Sequence, residues 1–140
     1  MKFYYILFSD AINKILTVEK SKDLWKFYTL IFISFAMGLN LLMLKFIYFE
    51  LNTFKQYTIL TNLNITGFQK IDGILTYFTF HLFPFLILNY FLIFYKDKYK
   101  EIIVKYKHYN GKLIGWYYAI SFFSFPLLFI IGAVKYYFFR

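Results

Sequence analysis

The chain has 140 residues, of which 61% are hydrophobic and 27% aromatic, and it carries a net charge of +9; a soluble domain is typically about 45–50% apolar. Cysteine is absent, which excludes disulfides, thiolate metal sites and cysteine nucleophiles. The apolar excess is gathered into three blocks, a membrane pattern, and the positive charge sits beside them, so the expected partner is a lipid bilayer with anionic headgroups and not nucleic acid.

Residues 1–20 read as a helix. Tyr4, Tyr5, Phe8, Ala11, Ile12, Ile15 and Leu16 share one face, while Ser9, Asp10, Asn13, Lys14 and Thr17 fall on the other. Such a helix either lies in the membrane interface as an amphipathic element or packs on the chain's own spans, and the sequence leaves both open. The polar interruptions come too early for a signal peptide. A short polar connector follows, with Asp23 as a cap for the next helix.

The first span is expected over residues 26–49. Its charge-free section from Phe27 to Leu44 is about 18 residues, near the lower limit for a crossing. Lys45 can snorkel outward to let the span complete itself. Trp25 and Tyr28 suit the headgroup belt. Ser34 and Gly38 form a small-xxx-small pair, a helix-packing signature. Residues 50–72 are too polar to cross and read as an extracytoplasmic loop, with a faint strand alternation from Asn62 to Thr66 and with Asp72 as a cap for the second span.

The second span, residues 73–95, runs for about 23 residues without a formal charge, enough for a hydrocarbon layer of about 30 Å. It contains Thr76, Thr79, His81, Pro84 and Asn89. Pro84 removes a backbone donor, so a kink is expected. His81 is the ionisable group placed deep in a span, where a polar side chain faces protein or a water-filled cavity. Residues 96–112 then carry Lys96, Lys98, Lys100, Lys105, Lys107 and Lys112, with Tyr95, Tyr99, Ile102, Ile103 and Tyr106 at helical spacing. This predicts a cytoplasmic helical extension of the second span, ended by Asn110-Gly111. Its lysines are either simply solvated or a contact for anionic lipid or a partner. The third span, residues 113–134, is about 22 charge-free residues. Ser121, Ser124, Pro126 and Gly132 are its irregular positions: Gly132 a packing site, Pro126 a second kink.

With the N-terminus inside, eleven basic residues face inward and five outward, which predicts N-in and C-out topology. Lysine is used almost to the exclusion of arginine, and Asn, Ile, Phe and Tyr are abundant, so a bacterial inner (plasma) membrane is the expected location. The fold expected is a single all-α membrane domain: three transmembrane helices, an N-terminal amphipathic interfacial helix, and the cytoplasmic extension.

No Asp or Glu lies inside a span. Membrane enzymes that hold a catalytic metal, transfer phosphoryl groups or use an aspartyl pair need buried carboxylates. No HExxH motif, Gly-rich phosphate loop or Ser–His–acid set occurs, and neither cofactor nor metal is expected. Asn40, His81, Ser121 and Ser124 fall near mid-depth and predict one polar cluster. Interhelical hydrogen bonds of this kind are worth about 0.6–2 kcal/mol each, which favours packing over catalysis. An amphipathic helix followed by three spans resembles bacterial diacylglycerol kinase in layout alone, since the acidic positions that family relies on have no counterpart here. The expected function is a non-enzymatic membrane subunit, homo-oligomeric or accessory to a larger membrane protein. The alternatives are an oligomeric pore or permeabilising effector lined by Asn40, Thr76, Thr79, His81, Asn89, Ser121 and Ser124, and, third, an intramembrane enzyme using His81.

Overall fold

The computed structural model describes residues 2–18, 24–51 and 65–138. The polar connector with Asp23, and the loop over residues 52–64, lie outside the described residues, and most of the expected strand alternation lies there with them. Among the described residues all regular structure is helical. Helix α1 is Lys2–Val18 and α2 is Trp25–Leu51. Helix α3 is composite: α-helical over Gln69–Tyr77, widened to π over Phe78–Leu82, α-helical over Phe83–Asn89, π again over Tyr90–Phe94, and closed by a 3₁₀ turn at Tyr95–Asp97. Helix α4 is Tyr99–Lys105 and α5 is Lys112–Phe138.

Helices α2 and α5 each have 27 residues, about 40 Å at 1.5 Å per residue. Helix α2 packs along both α5 and α3. Among the described residues, two segments are long and apolar enough to cross a membrane, Trp25–Lys45 and Gln69–Asp97, yet only 28% and 22% of their most apolar windows are buried. A core helix of a soluble protein would be hidden on most sides. Here Phe27, Phe32, Leu44, Phe83 and Phe91 are all exposed.

Helix α3 begins at Gln69, four residues before the expected start at residue 73, so Asp72 lies in its first turn. Its carboxylate reaches back to accept hydrogen bonds from the Ile65 amide at 3.2 Å and from the Thr66 amide and hydroxyl at 2.9 Å each. Sequence reading placed the boundary where charge disappears; the backbone places it where the bend at residues 65–67 ends. Further along, Pro84 has no N–H for the ordinary i→i−4 ladder. The turn before it widens, and the Phe83 amide donates to the Phe78 carbonyl five residues back, so the irregularity is absorbed as a π turn. Helix α5 continues from Lys112 to Phe138 through Pro126.

The expected continuous extension of the second span is not formed. The chain leaves the helix at Tyr95 (ψ 129°), and Lys96 and Asp97 adopt left-handed φ values of 54° and 55°. Tertiary contacts hold this break. Asp97 lies 3.3 Å from both Lys26 and Lys100, and the Trp25 ring meets Tyr99 edge-on at 5.1 Å. The separate α4 then turns Ile102 into the core and packs on α1. Asn110 (φ 54°) and Gly111 (φ 80°) do not end the extension, because α4 has already stopped at Lys105. They form the entry to α5, where a Cβ on Gly111 would sit 2.6 Å from Lys14 Cγ.

The buried cluster joins Leu7, Phe8, Ala11 and Ile12 of α1 to Trp25 and Ile33 of α2, Ile93 and Phe94 of α3, Ile102 of α4 and Ile114 of α5. Most of it gathers at the end where α2 and α5 begin and α3 finishes. The opposite halves of the long helices extend away from it.

Candidate functional site

Polar side chains brought together between helices fall into four groups. The first fixes α1. Every residue from Leu7 to Ile12 is buried, so the middle of α1 is enclosed on all sides and its polar face meets protein. The Ser9 hydroxyl donates to the Tyr106 carbonyl at 3.0 Å. One oxygen of Asp10 accepts from the amides of Tyr109 and Gly111, the latter at 2.9 Å, and the other accepts from the Ile114 amide at 3.1 Å. The first amides of any helix lack intrahelical partners, and the helix dipole favours negative charge there. Asp10 supplies both to α5 from the opposite end of the chain.

The second group crosses three helices. Tyr4 donates to Asn89 Oδ1 at 2.7 Å, and Asn89 Nδ2 donates to Ser34 Oγ at 2.8 Å. Burial, with Tyr5 adjacent, raises the Tyr4 hydroxyl above the usual phenol range, so it stays a donor at any physiological pH.

The third group surrounds His81, which is 2% exposed and lies on the π turn before Pro84. Its Nε2 is 3.3 Å from Lys45 Nζ. Its ring stacks on Tyr77, centroids 5.7 Å apart and planes 4° from parallel, and the Tyr77 hydroxyl donates to the Phe35 carbonyl at 3.0 Å. Gly38 permits this approach: a Cβ there would lie 2.9 Å from both the His81 carbonyl oxygen and the Tyr77 hydroxyl. Lys45 is turned to His81, where the sequence reading sent it outward.

The fourth group links α2 to α5. Asn40 Nδ2 donates to the Tyr117 hydroxyl at 3.0 Å. Ser121 donates to the Tyr117 carbonyl at 2.8 Å, and Ser124 to the Ser121 carbonyl at 3.2 Å.

The expected single cluster of Asn40, His81, Ser121 and Ser124 is thus divided, because His81 faces α2 on one side and the serines bond back to their own helix. Thr76 is buried and donates to the Asp72 carbonyl at 2.7 Å, whereas Thr79 is exposed. Ser34 and Gly38 both face α3 of the same chain. The surroundings of Gly132 lie outside the described residues. Lys96, Lys98, Lys100, Lys105, Lys107 and Lys112 are all exposed. Lys96, Lys105 and Lys107 lie 5.4, 6.0 and 5.4 Å from the ring centroids of Tyr95, Tyr106 and Tyr109. Lys100, then Lys26, holds the Asp97 carboxyl below its usual range.

Sequence reasoning missed the roles of Asp10, Tyr4, Tyr77 and Tyr117. Asp10 carried a signal, being one of only seven acids in the chain and set within an aromatic-rich helix. The tyrosines carried none that separates them from the other twelve. Among the described residues no three of His, Asp and Glu converge as a metal site requires. Comparison of the chain with protein-family models, curated proteins and solved structures finds no match.

Proposed function

We propose that the chain is a small, non-enzymatic integral membrane subunit that assembles with itself or with a larger membrane protein. The observation that carries this is the low burial of its two most apolar helical segments, 28% and 22%, which leaves long apolar surfaces that only lipid or another apolar helix satisfies. Helix α5 is read as a third crossing: it spans 27 residues and has no formal charge between Lys112 and Lys135. The lysines of residues 96–112 meet anionic headgroups on the cytoplasmic side of a bacterial inner membrane. The interhelical polar groups favour a structural role, since Asn89, Asn40 and Asp10 are engaged in hydrogen bonds that hold helices together. Burial of Thr76 and His81 within one chain speaks for this reading over a pore lined by them.

Purification in mild detergent is the test. The expected result is a defined oligomer or a complex with a co-purifying membrane protein. A monomer at every concentration, with nothing bound, overturns the proposal. Reporters fused to the two ends are expected on opposite sides of the membrane, N-terminus inside.

A further inference from the structure

We infer that Lys45 and His81 form a binding site for the headgroup of an anionic lipid, in the leaflet away from α1 and α4. This rests on the membrane reading above. Lys45 lies about 30 Å along α2 from Trp25, at the far edge of a hydrocarbon layer of about 30 Å. Helical side chains lean toward the helix N-terminus, and that of Lys45 leans into the layer, its Nζ 3.3 Å from His81 Nε2. An ammonium has three donors and no acceptor. The imidazole takes one of them at Nε2 and therefore carries its own proton on Nδ1.

Among the described side chains no carboxylate pairs with this charge. Among the described residues, ion pairs join Lys26 and Lys100 to Asp97, while Asp10 and Asp72 accept from backbone amides. A lone cation at this depth calls for an anionic oxygen. The ring that holds the lysine in place is stacked on Tyr77, and the His81 backbone carbonyl sits against Gly38. His81 is closed off, but Lys45 is only partly buried, and its neighbours Leu44 and Tyr48 present exposed apolar surface. A phosphate bearing acyl chains matches both halves of this surface: its oxygens meet the ammonium and its chains lie along Leu44. An inorganic anion matches only the first.

The test uses the full chain with ¹⁵N-labelled histidine, in nanodiscs of phosphatidylcholine with rising phosphatidylglycerol. The chain has two histidines. His108 is exposed in the basic segment and reports general contact with anionic headgroups. Phosphatidylglycerol is expected to shift the His81 ring resonances saturably. Lys45→Gln is expected to raise the amount required about tenfold while leaving the His108 response intact. An unchanged His81 signal in discs holding folded protein overturns this inference alone. So does an equal response in K45Q, an equal response to inorganic phosphate in pure phosphatidylcholine, or a signal set by the number of chains per disc. If K45Q does not fold, the wild-type comparison of phosphatidylglycerol with phosphate decides. Failure of the chain to enter discs overturns both this site and the membrane reading.

Discussion

Asp10 does at one residue what a helix cap ordinarily does within one element. Its two oxygens take amides from Tyr109, Gly111 and Ile114, residues 99, 101 and 104 positions away. Removing the carboxylate leaves three donors short of a partner, the Ile114 amide in a buried place, where an unsatisfied group is unfavourable by about 1–3 kcal/mol. Asp10→Ala is expected to lower the unfolding free energy by about 2–4 kcal/mol, read from denaturant titration of the helical signal in micelles. Asp10→Asn should lose less, because one acceptor oxygen survives. The sequence showed that Asp10 shares a face with Ser9 and Asn13. It did not show what that face meets, because the partner is backbone amides, which every sequence possesses and none advertises.

At the scale of an element, α2 and α3 touch where a side chain is missing. Gly38→Ala would place a methyl against the His81 carbonyl, which as backbone cannot yield. A loss of about 1–3 kcal/mol is expected. Gly73, inside α3 with nothing within 4 Å of its would-be Cβ, is the contrast: Gly73→Ala should be neutral or stabilise by up to about 1 kcal/mol. The two variants, compared by thermal unfolding in one detergent, separate close packing from helix propensity. The start of α3 responds to pH. The amide and hydroxyl of Thr66 hold the Asp72 carboxyl below its usual range, so its contribution is complete above the unfolded value of about 3.9. It is lost as pH falls through the lower folded value. Hydrogen exchange should find the Ile65 and Thr66 amides still protected at about pH 4 and opened only as the pH falls further, through the lowered folded value, and open throughout in Asp72→Ala. The helical spacing of Tyr99, Ile102 and Ile103 was legible, as was the disturbance at Pro84. The break at Lys96 and Asp97 was not, since it is imposed by Trp25 and Lys26, some 70 residues upstream.

At the scale of the molecule, two tryptophans that look alike in sequence separate the environments. Both stand at the start of an apolar block, a position that suits an amphipathic ring in the headgroup belt. In the structure Trp25 is 8% exposed, packed against Phe94 and Tyr99, while Trp116 is 71% exposed on α5. Trp25 is an anchor of the core at the end where α1 and α4 close the bundle. Trp116 is left to whatever surrounds the protein. Single-tryptophan variants in vesicles distinguish the surroundings. With Trp25→Phe, emission from the remaining Trp116 should be quenched strongly by brominated lipid and weakly by aqueous iodide. With Trp116→Phe, Trp25 should be protected from both. Protection of Trp116 from both quenchers, lost on dilution into excess lipid, would locate an assembly interface on α5. Strong quenching of Trp116 by iodide alone would put α5 in water, and three crossings would be reduced to two.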